Sequence, residues 1–208
     1  MSKERAQRIK LLLFDVDGVL TDGKLFFMPA PAGSEQQTIG PEHAEKPHLG
    51  GYGIPSSTMI ETKGFHAHDG TAISLARLGG IRTGLITKRV SETVRLRARD
   101  LRLDFVYQGI ADKASCFEQI CREAGVSSDE VAFVGDDIID LPVMRRCGLA
   151  VAVANARESV KDEAHVVVDH NGGDGAARDA VEYILKAQGS LDRVVAEYIG
   201  ERSPGKQI

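Results

Sequence analysis

With 208 residues, of which 42% are hydrophobic and 27% charged, the chain is long enough to bury one sizeable core. A net charge of −4 gives no footprint for nucleic acid or an anionic membrane surface, and no apolar run approaches the length that spans a bilayer. Residues 1–10 lack the apolar centre of a signal peptide, and Cys116, Cys121 and Cys147 have no metal-ligand spacing, so a reduced, cytoplasmic setting is expected, without nucleic acid or membrane as partner.

The first predicted strand covers residues 9–14 and ends in Leu11-Leu12-Leu13-Phe14, an apolar run bounded by a turn signal. Asp15-Val16-Asp17-Gly18 follows at once. Residues 24–28 and 58–63 read as two short strands of a β excursion. Residues 29–57 between them are rich in Pro, Gly, His and Ser without an apolar period, so they read as a long flexible insertion. Asp69 is placed to cap a helix over 71–78, which Gly79-Gly80 stops. A strand over 83–87 ends on Thr87. Ser91 caps a helix to about residue 100, whose Arg and Lys residues, interrupted by acids, read as a solvated face. A short strand over 104–107 precedes an amphipathic helix over 113–124, with Phe117, Ile120 and Cys121 on one face. Val131-Ala132-Phe133-Val134 reads as a buried strand running into Gly135-Asp136-Asp137-Ile138-Ile139-Asp140. A helix over 141–146, a strand over 149–153, a helix over 159–164 and a strand over 165–168 follow. Glycine-rich residues 171–175 then lead to a last helix over 176–187, and from 189 the chain reads as a polar tail.

Short apolar strands alternating with helices predict an α/β fold: one doubly wound, Rossmann-like parallel sheet with a small β-hairpin excursion after strand one and no large cap domain. One domain is expected over 1–190, with 191–208 as a C-terminal tail. In such sheets ligands sit beyond the carboxyl ends of the strands. Asp15 and Asp17 follow the first strand, Thr87 ends the next, Lys113 opens a helix, and Asp136 with Asp137 follows Val134. Taken singly, Asp-x-Asp also reads as a solvated turn with acidic caps, Thr87 as a strand-end cap and Lys113 as a solvated helix starter. Converging on one crevice, they suit a hard divalent cation and a phosphoryl group.

These motifs resemble those of the haloacid dehalogenase superfamily of phosphotransferases. Residues 15–23, Asp69-Gly70, residues 135–144 and Gly172-Gly173-x-Gly175-Ala176 are similar to its branch of 3-deoxy-D-manno-octulosonate 8-phosphate phosphatases, over roughly residues 9–190 apart from 29–57. The resemblance implies a magnesium-dependent phosphatase of a small-molecule phosphate monoester, with Asp15 as nucleophile and Asp17 as acid and then base. It implies Mg2+ held by Asp15, the Asp17 carbonyl and Asp136, with Asp137 orienting a water on the ion, and Thr87 and Lys113 gripping phosphoryl oxygens. Asp140 is left between a supporting role and helix capping. The resemblance also implies a homotetramer in which the β excursions meet and a tail covers a neighbour's pocket.

The implied substrate is a small sugar-acid phosphate, most simply the octulosonate 8-phosphate of lipopolysaccharide synthesis. Another sugar-acid phosphate, or an accessory role similar to the phenylphosphate carboxylase delta subunit, are the alternatives. Two departures fall where the leaving group is chosen. His66-Ala67-His68 stands where the branch carries an asparagine and an arginine, and Thr87-Lys88-Arg89 stands where Thr-Gly-Arg is usual. His68 and Arg89 are therefore the residues expected on the substrate side. His66 and His68 as a metal pair lack a third ligand nearby in sequence. A phospho-acceptor receiver domain uses similar groups, but places its acceptor aspartate after a middle strand of the sequence, not the first.

Overall fold

The structure is a computed structural model that describes residues 2–29 and 59–200. The insertion expected over 29–57 therefore lies almost wholly outside the described residues, as does the end of the expected tail, 201–208. A short helix α1 (Ser2–Ala6) leads to β1 (Leu11–Phe14), and a hairpin of β2 (Phe26–Pro29) and β3 (Met59–Thr62) precedes α2 (Ala67–Leu78). Then come β4 (Arg82–Ile86), α3 (Glu92–Leu101), β5 (Phe105–Tyr107), α4 (Lys113–Ala124) and β6 (Val131–Gly135). The described residues continue with α5 (Leu141–Met144), β7 (Leu149–Ala152), α6 (Glu158–Lys161), β8 (Val166–Val167), α7 (Ala176–Ala187) and α8 (Leu191–Tyr198).

Six strands form one parallel sheet in the order β5-β4-β1-β6-β7-β8. This is the doubly wound α/β architecture that the alternation of elements predicts, and among the described residues it carries no large cap domain. The central strand explains its own sequence. Leu11, Leu12, Leu13 and Phe14 are all 0% exposed because helices cover both faces, so the run does not alternate. Each such side chain contributes roughly 1.5–3 kcal/mol by leaving water. The edge strands β5 and β8 are short, as unpaired edges of stable sheets usually are.

The first crossovers run from β1 toward β5 and the later ones from β6 toward β8. Right-handed connections therefore put α2 and α3 on one face and α4 and α5 on the other. α7 returns to pack on α2, and the small buried residues Ala176, Ala177, Ala180, Ala72 and Ala76 let these two helices approach closely. The direction of winding changes beside β1, so the carboxyl ends of β4, β1 and β6 open on one crevice.

Two elements differ from the sequence expectation. α2 begins at Ala67, with His66 at the N-cap, so Asp69 lies in the first turn and not before it. Residues expected to form a polar tail instead include α8, in which Val194 is buried and Leu191 and Val195 pack against the core. Three apolar residues at helical spacing are enough to dock that segment.

Candidate active site

β1 pairs in register with β6 so that Phe14 lies beside Val134, and the Asp15 amide donates to the Val134 carbonyl at 3.0 Å. Asp15 and the turn Gly135-Asp136-Asp137 are thereby set side by side just beyond the sheet. On the other side Phe14 pairs with Leu85, which brings Thr87 to the same level. Lys113 arrives from the first turn of α4, a helix capped by Asp112, whose carboxylate accepts from the Ser115 amide at 3.1 Å.

Lys113 is buried. Its Nζ lies 2.9 Å from Asp15 Oδ1 and donates to Asp140 Oδ1 at 2.7 Å. The other Asp140 oxygen accepts from the amides of Asp136 at 3.0 Å and Asp137 at 3.3 Å. Asp140 is thus fully engaged, holding the lysine with one oxygen and the turn after β6 with the other. Asp136 is different: its Oδ1 is buried and accepts no hydrogen bond.

Asp15, Asp136 and Asp140 bring carboxylate oxygens within 4.8 Å of one another. Three carboxylates share one ammonium, so full ionisation would leave two uncompensated negative charges in a largely buried place. Burial first, then Asp140, hold Asp15 above the ordinary carboxylate range, against the pull of Lys113. Burial, Asp140 and Asp15 push Asp136 up to about 8. Burial works to lower Lys113, but Asp15 and Asp140 outweigh it and its affinity for the proton is raised. A hard divalent cation would cancel the excess charge and use the orphaned oxygen of Asp136, so the donor set fits such an ion. With Asp140 occupied by Lys113 and the amides, Asp15 and Asp136 are the carboxylates left to face it.

Asp17 lies outside that group and faces the hairpin. Its Oδ1 accepts from Lys63, just past β3, and its Oδ2 lies 3.6 Å from the Arg89 guanidinium. Lys63 has a fully buried side chain and also lies 3.4 Å from Glu61, which Arg89 approaches at 3.6 Å. Thr87 is buried at the end of β4, and its hydroxyl accepts from the Arg89 amide at 3.3 Å.

Asp137 is exposed and its carboxylate caps the turn Ile138–Asp140, accepting from the Ile138 amide at 2.7 Å. His68 is exposed, its ring meeting His66 edge-on at 4.7 Å between centroids. Asp69 is buried and serves another helix: its Oδ1 accepts from the Arg178 amide in the first turn of α7 at 3.0 Å. Lys63 and Glu61 did not stand out in the sequence. Their signal was alternation, since Glu61-x-Lys63 puts two opposite charges on one side of a strand.

The loop before α7 buttresses this crevice from its own chain. The Gly173 amide donates to the Val19 carbonyl at 2.9 Å, and a Cβ on Gly172 would fall 1.6 Å from the Gly18 carbonyl oxygen. Gly18 itself has φ +93°, and a Cβ there would lie 2.2 Å from Asp136 Oδ2. Backbone can approach the acidic cluster this closely only as glycine.

A doubly wound sheet that delivers carboxylates and a buried lysine to the place where its winding reverses defines a phosphoryl-transfer enzyme of the α/β class. The chain belongs to the haloacid dehalogenase-like hydrolases, whose family model matches residues 87–179. It is 33% identical to 3-deoxy-D-manno-octulosonate 8-phosphate phosphatase KdsC of Escherichia coli K12, over 94% of this chain and 89% of that one. The crystal structure of 3-deoxy-D-manno-octulosonate 8-phosphate phosphatase from Yersinia pestis superposes with a TM-score of 0.74 at 32% identity, covering 92% of this chain and 88% of that one. The Moraxella catarrhalis phosphatase of the same name, in complex with magnesium, phosphate and KDO, gives 0.77 at 29% identity over 94% and 97% of the two chains. No helix of the described residues is long and apolar enough to cross a membrane.

Proposed function

We propose that this chain is a cytoplasmic, magnesium-dependent phosphatase of a small sugar-acid phosphate, most simply 3-deoxy-D-manno-octulosonate 8-phosphate, acting through an aspartyl-phosphate on Asp15. One observation carries the reading: Asp15 is buried at the end of the central strand with Lys113 at 2.9 Å and an underused Asp136 beside it. Kinship with the octulosonate phosphatases, one of them solved with magnesium, phosphate and KDO, supports both ion and substrate.

Asp15, Asp136 and the Asp17 carbonyl would hold the ion, with Asp137 on its water side, and it supplies charge neutralisation between an anionic nucleophile and an anionic ester. Asp15 attacks phosphorus, the bond to the ester oxygen breaks, and Asp17 gives that oxygen a proton. Asp17 then takes a proton from the water that attacks the aspartyl-phosphate, releasing phosphate and restoring Asp15. Lys113 and Thr87 offset charge on the phosphoryl oxygens, while Asp140 holds Lys113 in place. His68 and Arg89 stand on the leaving-group side.

The same reading includes a homotetramer built on the hairpin, the occupant of its apolar face being a second copy of this chain. Phe26, Phe27, Met28 and Met59 are exposed on β2 and β3, an apolar surface that a lone two-stranded hairpin does not keep in water without a partner. The C-terminal tail of one subunit would cover a neighbour's pocket.

Phosphate release with magnesium is to be measured on the octulosonate 8-phosphate, other sugar-acid phosphates and phenyl phosphate, with Asp15→Asn as control. A strong preference for the octulosonate, abolished by Asp15→Asn, is expected. Activity spread evenly over the esters would overturn the substrate, and turnover surviving Asp15→Asn would overturn the nucleophile. Light scattering should give four chains for the wild type and fewer for Phe27→Glu.

A further inference from the structure

Around Asp17 the structure closes a ring of four alternating charges. Each oxygen of Asp17 faces a different cation, Oδ1 facing Lys63 and Oδ2 facing Arg89. Each oxygen of Glu61 does the same, Oε1 lying 3.4 Å from Lys63 and Oε2 lying 3.6 Å from Arg89. Three separate segments meet in it: the turn after β1, the end of the hairpin and the turn after β4.

The ring is rigidly mounted. The Lys63 side chain is 0% exposed, and a buried ammonium that loses its partners is strongly destabilised, so it has little freedom to leave. The Glu61 carbonyl accepts from the Thr93 hydroxyl at 3.2 Å, which ties the hairpin to the first turn of α3. Arg89 donates its amide to Thr87. Among the described residues, the second charged group, made of Lys113, Asp15, Asp136 and Asp140, has no ion pair in common with Asp17's ring.

We propose that Lys63 and Glu61 are positioning residues for Asp17: they hold on the leaving-group side, away from the nucleophile, the carboxylate that Asp17 becomes as it gives its proton to the ester oxygen, so that proton transfer and phosphoryl grip are served by separate charge networks. This rests on the reading of Asp17 as the acid. Lys63 bonds the carboxylate directly, and Glu61 keeps both cations in register with it. The hairpin thereby becomes part of the proton-transfer apparatus as well as a surface feature.

The consequence depends on the leaving group. A sugar alkoxide needs the proton, whereas 4-nitrophenolate departs without one, and kcat/KM reports the step in which the leaving group goes. Wild type, Lys63→Met, Lys63→Arg, Glu61→Gln and Asp17→Asn are to be compared on the primary alkyl phosphate that wild type hydrolyses best and on 4-nitrophenyl phosphate. For Lys63→Met, kcat/KM on the alkyl ester should fall on the order of 10²-fold. On 4-nitrophenyl phosphate it should fall only a few-fold. Lys63→Arg should recover most of the alkyl activity, and Glu61→Gln should show the same selectivity with a smaller loss. Equal losses on both esters in Lys63→Met and Glu61→Gln, with Asp17→Asn still selective, would overturn the positioning role alone. Equal losses in Asp17→Asn as well would overturn the acid assignment on which it stands.

Discussion

Asp140→Asn tests whether the buried charge network is held together as described. The carboxylate is 0% exposed and makes three contacts, to Lys113 Nζ at 2.7 Å and to the amides of Asp136 and Asp137 at 3.0 and 3.3 Å. An asparagine keeps one acceptor and turns the other position into a donor. If its oxygen faces Lys113, two amides meet an NH2 group; if it faces the amides, the lysine does. Removing one member of a buried ion pair costs about 3–5 kcal/mol, and an unsatisfied buried amide adds about 1–3 kcal/mol. Against this stands relief of repulsion, because Asp140 is among the causes that push Asp15 and Asp136 up. Lys113 also keeps Asp15 at 2.9 Å. The net expectation is a loss of about 3 kcal/mol, or a melting temperature lower by roughly 6–12 °C for a domain of this size. Urea unfolding at pH 7 with EDTA measures it free of any contribution from bound metal. A loss below about 1 kcal/mol at unchanged m-value would refute the reasoning, since Asp140 would then repel its neighbours as much as it binds them.

Gly18→Ala places a Cβ 2.2 Å from Asp136 Oδ2 on a backbone with φ +93°, so it should displace Asp136 and raise the magnesium concentration for half-maximal activity at least about tenfold; a magnesium titration that matches wild type would count against Asp136 as a ligand. His165 accepts the Ala150 amide on Nδ1 at 2.8 Å, and burial, with Arg5, lowers its affinity for the proton. Its contribution should be present above the unfolded value near 6.5 and fade as pH falls through that value toward the depressed folded one. The stability difference between wild type and His165→Leu should therefore shrink, by up to about 1 kcal/mol, from pH 7.5 to pH 5.5 in paired urea melts; a difference that stays constant would show that Nδ1 does not lose its bond.

The parts legible in the sequence are those whose environment is uniform along a segment. Leu11-Leu12-Leu13-Phe14 reads as an interior strand because every residue of it is covered, and the carboxylates after it read as ligands because strand ends in parallel sheets point at crevices. Asp15, Lys113 and Asp136 do meet, as that logic expects. What escaped it depends on contacts between distant residues or on the direction a turn gives a side chain. Asp69 looks like a cap for its own helix, yet its partner is the Arg178 amide, 109 positions away. Asp137 and Asp140 are equivalent as letters, but the tight turn over Ile138–Asp140 points one outward and the other into the core. Lys63 follows a hairpin none of whose residues is buried, where neither apolar period nor strand-end logic applies.

The central position of β1 also has a consequence for how the chain comes to be folded. β1 is synthesised before both of its neighbours, and one of its edges waits for β4 and the other for β6, whose first residue is Val131. At 5–20 residues per second, the second edge stays uncovered for on the order of ten seconds of translation. During that interval an apolar, β-prone segment with open hydrogen-bonding groups is exposed to other nascent chains. The turn that follows it carries Asp15, Asp17 and Asp22, charges of the kind that flank apolar strands and oppose edge-to-edge pairing. The same aspartates that crowd one another in the finished protein would thus protect the unfinished one.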